Sequence, residues 1–378
     1  MCTACLGVKN LDLESHSPAC RLGGLLQTSP MYLKNCGDKT VRRITVDFAP
    51  GVKTEFADRE RALRQLGEWA ERNTAYPVVI FGPEGCGKTA FLRQAASALK
   101  ELSFDVFYLH PLDRVFTADI DDGDVKELFF QLVRRTLEDG LWSRVVFGVF
   151  DLVRELLKRR KRKVAIIADD VFQAIGLNNA AAYVKGLLST IEHPRYDYEK
   201  IVVLVATSEG VTRWEIGRHR WAWSMPMWNM TTDGFQQLYE RLPEEKPPFE
   251  EVWRWTGGNP NMLRQLYVAG WDVERVVDML IKEKRLIPFV NSLSQEERRW
   301  LADAVEDPDA LYQRERIPLM DRLMELNLLI YELYPRRPDY WIDTPPPEKD
   351  PELGIGRDAA WHTPIHREAV KTALKARR

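Results

Sequence analysis

The sequence predicts an α/β fold with a mainly parallel sheet, followed by a small helical unit and a C-terminal helix–strand unit. Three observations predict it. Short apolar runs alternate with helical stretches from Tyr76 to Ser208, the pattern of βαβ units whose sheet is covered on both faces. From about Thr231 the strand pattern stops, and amphipathic stretches follow, punctuated by Pro243, Pro247, Pro248 and Pro260. Beyond Pro288 come two helical stretches, two strand-like runs separated by a proline-rich excursion, and a last helix.

The elements follow in order. Between Glu55 and Arg72, Ala62, Leu63, Leu66, Trp69 and Ala70 recur at helical spacing, with Asp58 as N-cap and Arg59 and Glu60 in the first turn. YPVVIFG reads as a buried strand and GKTAFLRQAASALKEL as the helix after it. FDVFYLH, KVAIIADD and KIVVLVATS are three further strands. VKELFFQLVRRTLEDG, VVFGVFDLVRELLKRR and NNAAAYVKGLLSTI are helices between them. FQQLYERL, PFEEVWRWTGG, NMLRQLYVAG and DVERVVDMLIKEK form a small helical bundle. SQEERRWLADAV, IPLMDRLMELN, LLIYELY, GRDAAWHT and IHREAVKTAL complete a unit that reads as a winged helix with a long insertion in its wing. The expected divisions are an extension over 1–40, a core over 41–242, a helical lid over 243–288 and the winged helix over 289–378.

Composition narrows the classes. With 54 Lys and Arg against 56 Asp and Glu, the 378-residue chain is nearly neutral, so only a local patch could attract nucleic acid. No apolar run approaches the about 20 residues that span a bilayer. The N-terminus lacks the pattern of a secretory signal, and a cytoplasmic location is expected. Residues 1–40 show no period and read as a poorly ordered extension, with Met31 an equally good start. Cys2, Cys5, Cys20 and Cys36 contain one CxxC pair, whereas a structural zinc site usually brings two. The run KRRKRK, 158–163, has no interleaved aromatics and reads as a solvated helix end rather than a nucleic-acid patch. Most of the twelve tryptophans, among them Trp214, Trp221, Trp223, Trp228, Trp253 and Trp255, are expected in packing.

One stretch carries chemistry. Gly82-Pro83-Glu84-Gly85-Cys86-Gly87-Lys88-Thr89 fits GxxxxGK[ST] at every fixed position, behind a strand and opening a helix that continues through Ala90. Glycines let the backbone wrap a phosphate, and the helix N-terminus adds positive potential. Lys88 is expected on the β- and γ-phosphates of a nucleotide and the Thr89 hydroxyl on Mg²⁺. Cys86 fills a variable position, and its thiol at a helix N-terminus is a candidate for oxidation. Asp169 and Asp170 end the strand Ala165–Ala168, where ligands bind in open α/β sheets. Asp169 is expected to hold the metal, and Asp170 to act as base or water-orienting carboxylate. Thr207, followed by Ser208 and Glu209, ends the fourth strand and is a candidate γ-phosphate sensor. Arg213, Arg218, His219 and Arg220 offer an arginine, Arg218 in first place, to stabilise transition-state charge within the chain or across a subunit contact.

These residues, in this order, resemble the archaeal ATPases, a branch of the AAA+-related STAND signalling NTPases. The resemblance is carried by Phe56-Ala57-Asp58-Arg59-Glu60, the P-loop, the strand ending in Asp169-Asp170, and Gly257-Gly258-Asn259-Pro260, which is similar to the family's GxP signature at Gly258 and Pro260. TPIHREAVKTAL resembles the end of the family's winged helix. The resemblance implies ATP as the nucleotide, Mg²⁺ as the cofactor, Asp58 and Arg59 near the adenine, and Pro260 coupling nucleotide state to the winged helix. Related origin-binding proteins carry a lid arginine where Asn261 stands here, with Arg264 one turn further on.

The leading expectation is an ATP-hydrolysing conformational switch, its lid and winged helix contacting a protein partner or a second copy. An ATP-regulated DNA-binding protein is the alternative. Its candidate recognition helix, 317–327, sets Arg316 and Arg322 against Asp321 and Glu325, a poor supply of cations for phosphates. A third reading is a P-loop that binds nucleotide without turnover, since Asp170 stands where a longer Glu would position water.

Overall fold

The computed structural model describes residues 42–207, 216–243 and 245–376. The extension with its four cysteines, and Ser208, Glu209, Arg213 and Trp214, lie outside the described residues. The described residues belong to one compact unit, Val41–Arg378.

Strands β1 (Thr45–Ala49) and β2 (Val52–Glu55) form an antiparallel hairpin that leads into α1 (Glu60–Arg72). The central sheet uses β3 (Val78–Phe81), β4 (Asp105–His110), β5 (Val115–Asp119), β6 (Lys163–Asp169), β7 (Lys200–Ala206) and β8 (Trp223–Pro226). Their order is β5-β4-β6-β7-β3-β8, parallel except for the β4–β5 pair. β7 therefore lies between β3, which delivers the P-loop, and β6, which delivers Asp169. β3 is buried along its whole length, as are β6 and β7 apart from their first residues, as continuous Val/Ile runs predict.

Helices cover both faces. α2 (Lys88–Glu101) packs with α1 on one side, with Phe91, Leu92, Ala95 and Leu99 fully buried. α3 (Gly123–Asp139), α4 (Trp142–Arg159), α5 (Val171–Ile175) and α6 (Leu177–Glu192) cover the other. Two strands depart from the sequence pattern. β5 is a short antiparallel edge whose residues are only partly covered, and β8 ends in a proline. Edge strands have only one hydrogen-bonded neighbour, which tolerates short, irregular and proline-bearing segments.

The helical unit comprises α7 (Thr232–Glu240), α8 (Phe249–Thr256), α9 (Pro260–Val268) and α10 (Val273–Glu283). α11 (Leu286–Ser292), α12 (Gln295–Glu306), α13 (Ile317–Glu325), the antiparallel pair β9 (Leu329–Tyr331) and β10 (Ala359–Trp361), and α14 (Pro364–Lys375) follow. The expected order helix, helix, strand, excursion, strand, helix is present. Ser294 and Glu297 form a reciprocal capping box at the start of α12. Pro288 lies in the first turn of α11, where a missing N–H costs nothing. One apolar cluster runs from Phe48 through Leu263 and Leu280 to Leu323 and Val370. The hairpin, the helical unit and the C-terminal elements thus share a core.

Most of the basic run at 158–163 is paired with carboxylates. Arg159 pairs with Asp122 and Asp124, Arg162 is buried against Asp105 at 2.9 Å, and Lys161 pairs with Asp197. Arg162 thereby departs from the expected solvated face. Among the tryptophans, Trp228 packs edge-on against Trp341, and Trp253 stacks near Phe249. Trp223 is exposed.

Candidate nucleotide site

The P-loop leaves β3 at Phe81 and enters α2 at Lys88. Gly82, Gly85 and Gly87 all have positive φ. At Gly82 a Cβ would overlap the Met227 carbonyl oxygen, and at Gly85 it would overlap Asn261, so close approach as well as conformation requires glycine there. Lys88 is buried, and its Nζ donates to the Gly82 and Pro83 carbonyls at 3.1 and 3.0 Å. Thr89 follows it in the first turn of α2, with Ala90 half-buried beside it.

Across the sheet, Asp169 is 1 % exposed. Its Oδ2 accepts from the Tyr108 hydroxyl at 2.9 Å, and the Thr89 hydroxyl also hydrogen-bonds it. Burial first, and the neighbouring Asp170 charge second, push the Asp169 carboxyl above the usual carboxylate range. Its Oδ1 is buried without a hydrogen-bond partner. An unsatisfied buried oxygen beside a threonine hydroxyl and a second carboxylate suits a hard cation. His110, at the end of β4, lies 3.9 Å from an Asp170 oxygen; one atom each of His110, Asp169 and Asp170 fall within 4.8 Å of one another. Thr207 is buried at the end of β7, its N–H on the Ile80 carbonyl at 2.9 Å. The sheet thus brings Lys88, Thr89, Asp169, Asp170 and Thr207 to one end.

Asp58 is not the N-cap of α1. Both Asp58 and Arg59 have left-handed backbones, with φ of 55° and 67°, and the helix begins at Glu60. Tertiary contacts override the local capping preference. Asp58 packs against Gly234, where any side chain would collide with it, and Arg59 turns inward, 3 % exposed. The Arg59 guanidinium donates to the Cys86 carbonyl at 2.7 Å, the Trp228 carbonyl at 3.0 Å and Asp343 at 2.9 Å. Burial, with Asp343 adding to it, pushes the Asp58 carboxyl up to about 6. Cys86 is completely buried, its Sγ 3.6 Å from the Met227 carbonyl, so the thiol is shielded from the oxidation expected of it.

The helical unit closes on the loop through Asn259, the N-cap of α9. Its Oδ1 accepts from the Asn261 and Met262 amides, and its Nδ2 donates to the Glu84 carbonyl and to Asn229 Oδ1, both at 2.9 Å. Pro260 stands opposite Gly87. Arg264 is exposed; from the helical unit, Lys284 reaches the P-loop, 2.9 Å from the Glu84 carboxylate. Burial opposes ionisation of Glu84, but the Lys284 ammonium prevails and holds its carboxyl below the ordinary value.

The C-terminal elements also reach the loop. The Glu84 amide donates to His362 Nδ1 at 3.3 Å, and the His362 carbonyl accepts from Asn229. Burial drives His362 well below its ordinary value and His366 down to about 4, with nearby cations adding to both. A neutral His362 is what accepting an amide hydrogen requires.

Two expected contributors stand elsewhere. Arg218 is exposed. Its neighbours Gly217, His219 and Arg220 line a cavity of about 830 Å³ with Ala75, Tyr76 and Tyr340, at the end of β3 and β8 away from the P-loop. In α13, Arg316 pairs with Asp303 and Arg322 with Glu297, while Leu319, Met320 and Leu323 are buried. Sequence reading missed Asn259, Lys284, His362 and Asp343. Of these only Asn259 carried a local signal, an N-cap before Pro260.

A family model described as an ATPase domain predominantly from Archaea matches residues 56–266. No curated protein matches the sequence. Among solved structures, the chain is similar to Cdc6p from Pyrobaculum aerophilum, at 14% identity over 88% of this chain and 99% of that one, with a TM-score of 0.33. It is also similar to AMPPCP-bound DnaA from Aquifex aeolicus, at 14% identity over 71% and 78%, TM-score 0.34. The RuvB Holliday junction branch migration motor of Thermotoga maritima matches at 14% identity over 66% and 77%, TM-score 0.32. Among the described residues, no helix is long and apolar enough to cross a membrane.

Proposed function

The chain belongs to the family of ATPase domains found predominantly in Archaea, and on that premise we propose that it is an Mg²⁺-dependent, STAND-like ATPase working as a nucleotide-controlled switch. One observation carries the switch reading: the Glu84 amide of the P-loop donates to His362 in the C-terminal elements. The phosphate site and the far end of the chain are then in direct contact, and a change at one biases the other.

In this reading residues 41–242 are the core, 243–288 the lid and 289–378 a winged-helix unit that moves against them. The N–H groups from Gly85 to Thr89 and the N-terminus of α2 receive the phosphates of ATP or ADP. Lys88 shifts its ammonium from the Gly82 and Pro83 carbonyls toward the β- and γ-oxygens. Thr89 and Asp169 would hold Mg²⁺, which when bound neutralises charge on the phosphates. Asp170 orients the attacking water, and Thr207 senses the γ-phosphate beside it. Asn259 and Pro260 carry the loop's position into α9. Arg218, exposed and remote from the loop, acts only across a contact with a partner or a second copy. A cytoplasmic location fits this reading.

The test compares hydrogen exchange of residues 359–375 in the full chain with ADP and with a non-hydrolysable ATP analogue. The switch reading expects altered protection between the two states, lost in His362→Ala. Identical protection in both states would sink it, while leaving ATP hydrolysis itself untouched.

A further inference from the structure

The segment Trp341–Asp343 belongs to the excursion between β9 and β10, yet it sits at the P-loop end of the central sheet. Ile342 bridges Met227 in parallel register, its amide on the Pro226 carbonyl at 2.9 Å, and so extends the sheet beyond β8. Gln65 of α1 grips the segment from the other side. Its Nε2 donates to the Trp341 carbonyl at 2.8 Å, and its Oε1 accepts from the Asp343 amide at 3.0 Å. Trp341 and Ile342 are fully buried. This anchorage presents the Asp343 carboxylate to Arg59, with both side chains nearly inaccessible to water.

Arg59 is the hinge of the arrangement. A guanidinium has donors in a fixed fork; here they go to Asp343, the Cys86 carbonyl and the Trp228 carbonyl. In a trans peptide the C=O and N–H point in opposite directions. With the Cys86 carbonyl drawn to Arg59, the Gly87 N–H is turned away from it and left for a ligand. Removing Asp343 would leave a buried guanidinium without its counter-ion, a strongly unfavourable state. Asp58, close enough to interact with Arg59, is the alternative acceptor, and a guanidinium drawn to it would release the Cys86 carbonyl.

We infer that Asp343 is a positioning residue of the nucleotide site: through Arg59 it fixes the Cys86–Gly87 peptide in the orientation that receives phosphate. Docking of the strap Trp341–Asp343 and binding of nucleotide are therefore coupled. The inference rests on the nucleotide-site reading of the P-loop.

The experiment measures binding of a fluorescent ATP analogue to the full chain and to Asp343→Ala, Arg59→Ala, the double variant and Lys88→Ala. Each single change at the ion pair is expected to weaken binding about tenfold, and the double variant no more than Arg59→Ala alone, because contacting residues that act in series are non-additive. Wild-type affinity in Asp343→Ala, or a double variant showing the product of the two losses, would overturn the inference. Unchanged binding in Lys88→Ala would instead overturn the site reading on which it rests. Coupling is reciprocal, so in the unaltered chain ATP must slow hydrogen exchange at the Ile342 and Asp343 amides. Unchanged exchange there overturns the inference even where a variant fails to fold.

Discussion

Asn259 Nδ2 lies 2.9 Å from the Glu84 carbonyl oxygen, joining the first turn of α9 to the P-loop through a side chain that is itself fully buried. The same side chain caps α9 with its oxygen. One amide group thus ties the position of α9 to the P-loop.

Asn259→Ala removes the cap and strands two acceptors, the buried Asn229 Oδ1 and the part-buried Glu84 carbonyl. Loss of the cap costs about 1 kcal/mol and each unsatisfied acceptor about 1–3 kcal/mol. A destabilisation of roughly 3–7 kcal/mol is expected on that sum in chemical unfolding. Asn259→Asp keeps the cap but not the donor, and is expected to weaken nucleotide binding more than its stability loss implies.

Two glycines separate conformational cost from collision. Gly67→Ala lies in α1 with open space around the new methyl and is expected to stabilise the protein by about 0.5–1 kcal/mol. Gly85→Ala, at φ 77°, would drive its methyl into Asn261. It is expected to lower nucleotide affinity at least tenfold, measured by the same fluorescent analogue.

Asp170→Asn is expected to cut single-turnover ATP hydrolysis by about 10²–10⁴, the usual contribution of a positioned general base, with nucleotide still bound. Wild-type turnover in that variant would remove Asp170 from the chemistry. Asp169→Asn is expected to abolish the dependence of nucleotide affinity on Mg²⁺.

The buried histidines are expected to contribute to the acid limb of stability. His366 titrates near its ordinary 6.5 when unfolded and at about 4 when folded. As pH falls from 6.5 toward 4 the unfolded chain takes up a proton that the native chain does not, so stability drops. The loss from His366 is about 3 kcal/mol, and His362 shifts in the same direction. His366→Gln is expected to flatten this limb in unfolding measured against pH. Asp58 acts oppositely. With its folded value raised from 3.8 to about 6, it favours the fold while neutral, and that contribution is lost as pH rises through 6. Asp58→Asn is expected to stabilise the protein more at pH 7 than at pH 5.

Local pattern carried the helices, the buried strands and the P-loop, because burial on a sheet and the geometry of phosphate binding leave short periodic traces. It also located Lys88, Thr89, Asp169 and Asp170 at one end of the sheet. It failed where a residue's role depends on a distant partner. Asp58 looked like a helix cap because capping is a local preference, but Gly234 and the inward turn of Arg59 moved the helix start to Glu60. β5 and β8 were missed because an edge strand needs little burial and tolerates proline. His362 and Lys284 had no local mark as loop contacts, since neither lies in a motif.

Arg59 and Asp343 are 284 positions apart in the chain. During synthesis the P-loop, α1 and β8 emerge long before Ile342, whose amide pairs with the Pro226 carbonyl at the end of β8. A growing chain therefore carries an open strand edge, a template for pairing with another molecule. Closing it is a late, long-range event of the kind that slows folding. Completion of the ATP site then coincides with release of nearly the whole described chain, so a truncated product would own a P-loop whose brace never arrives.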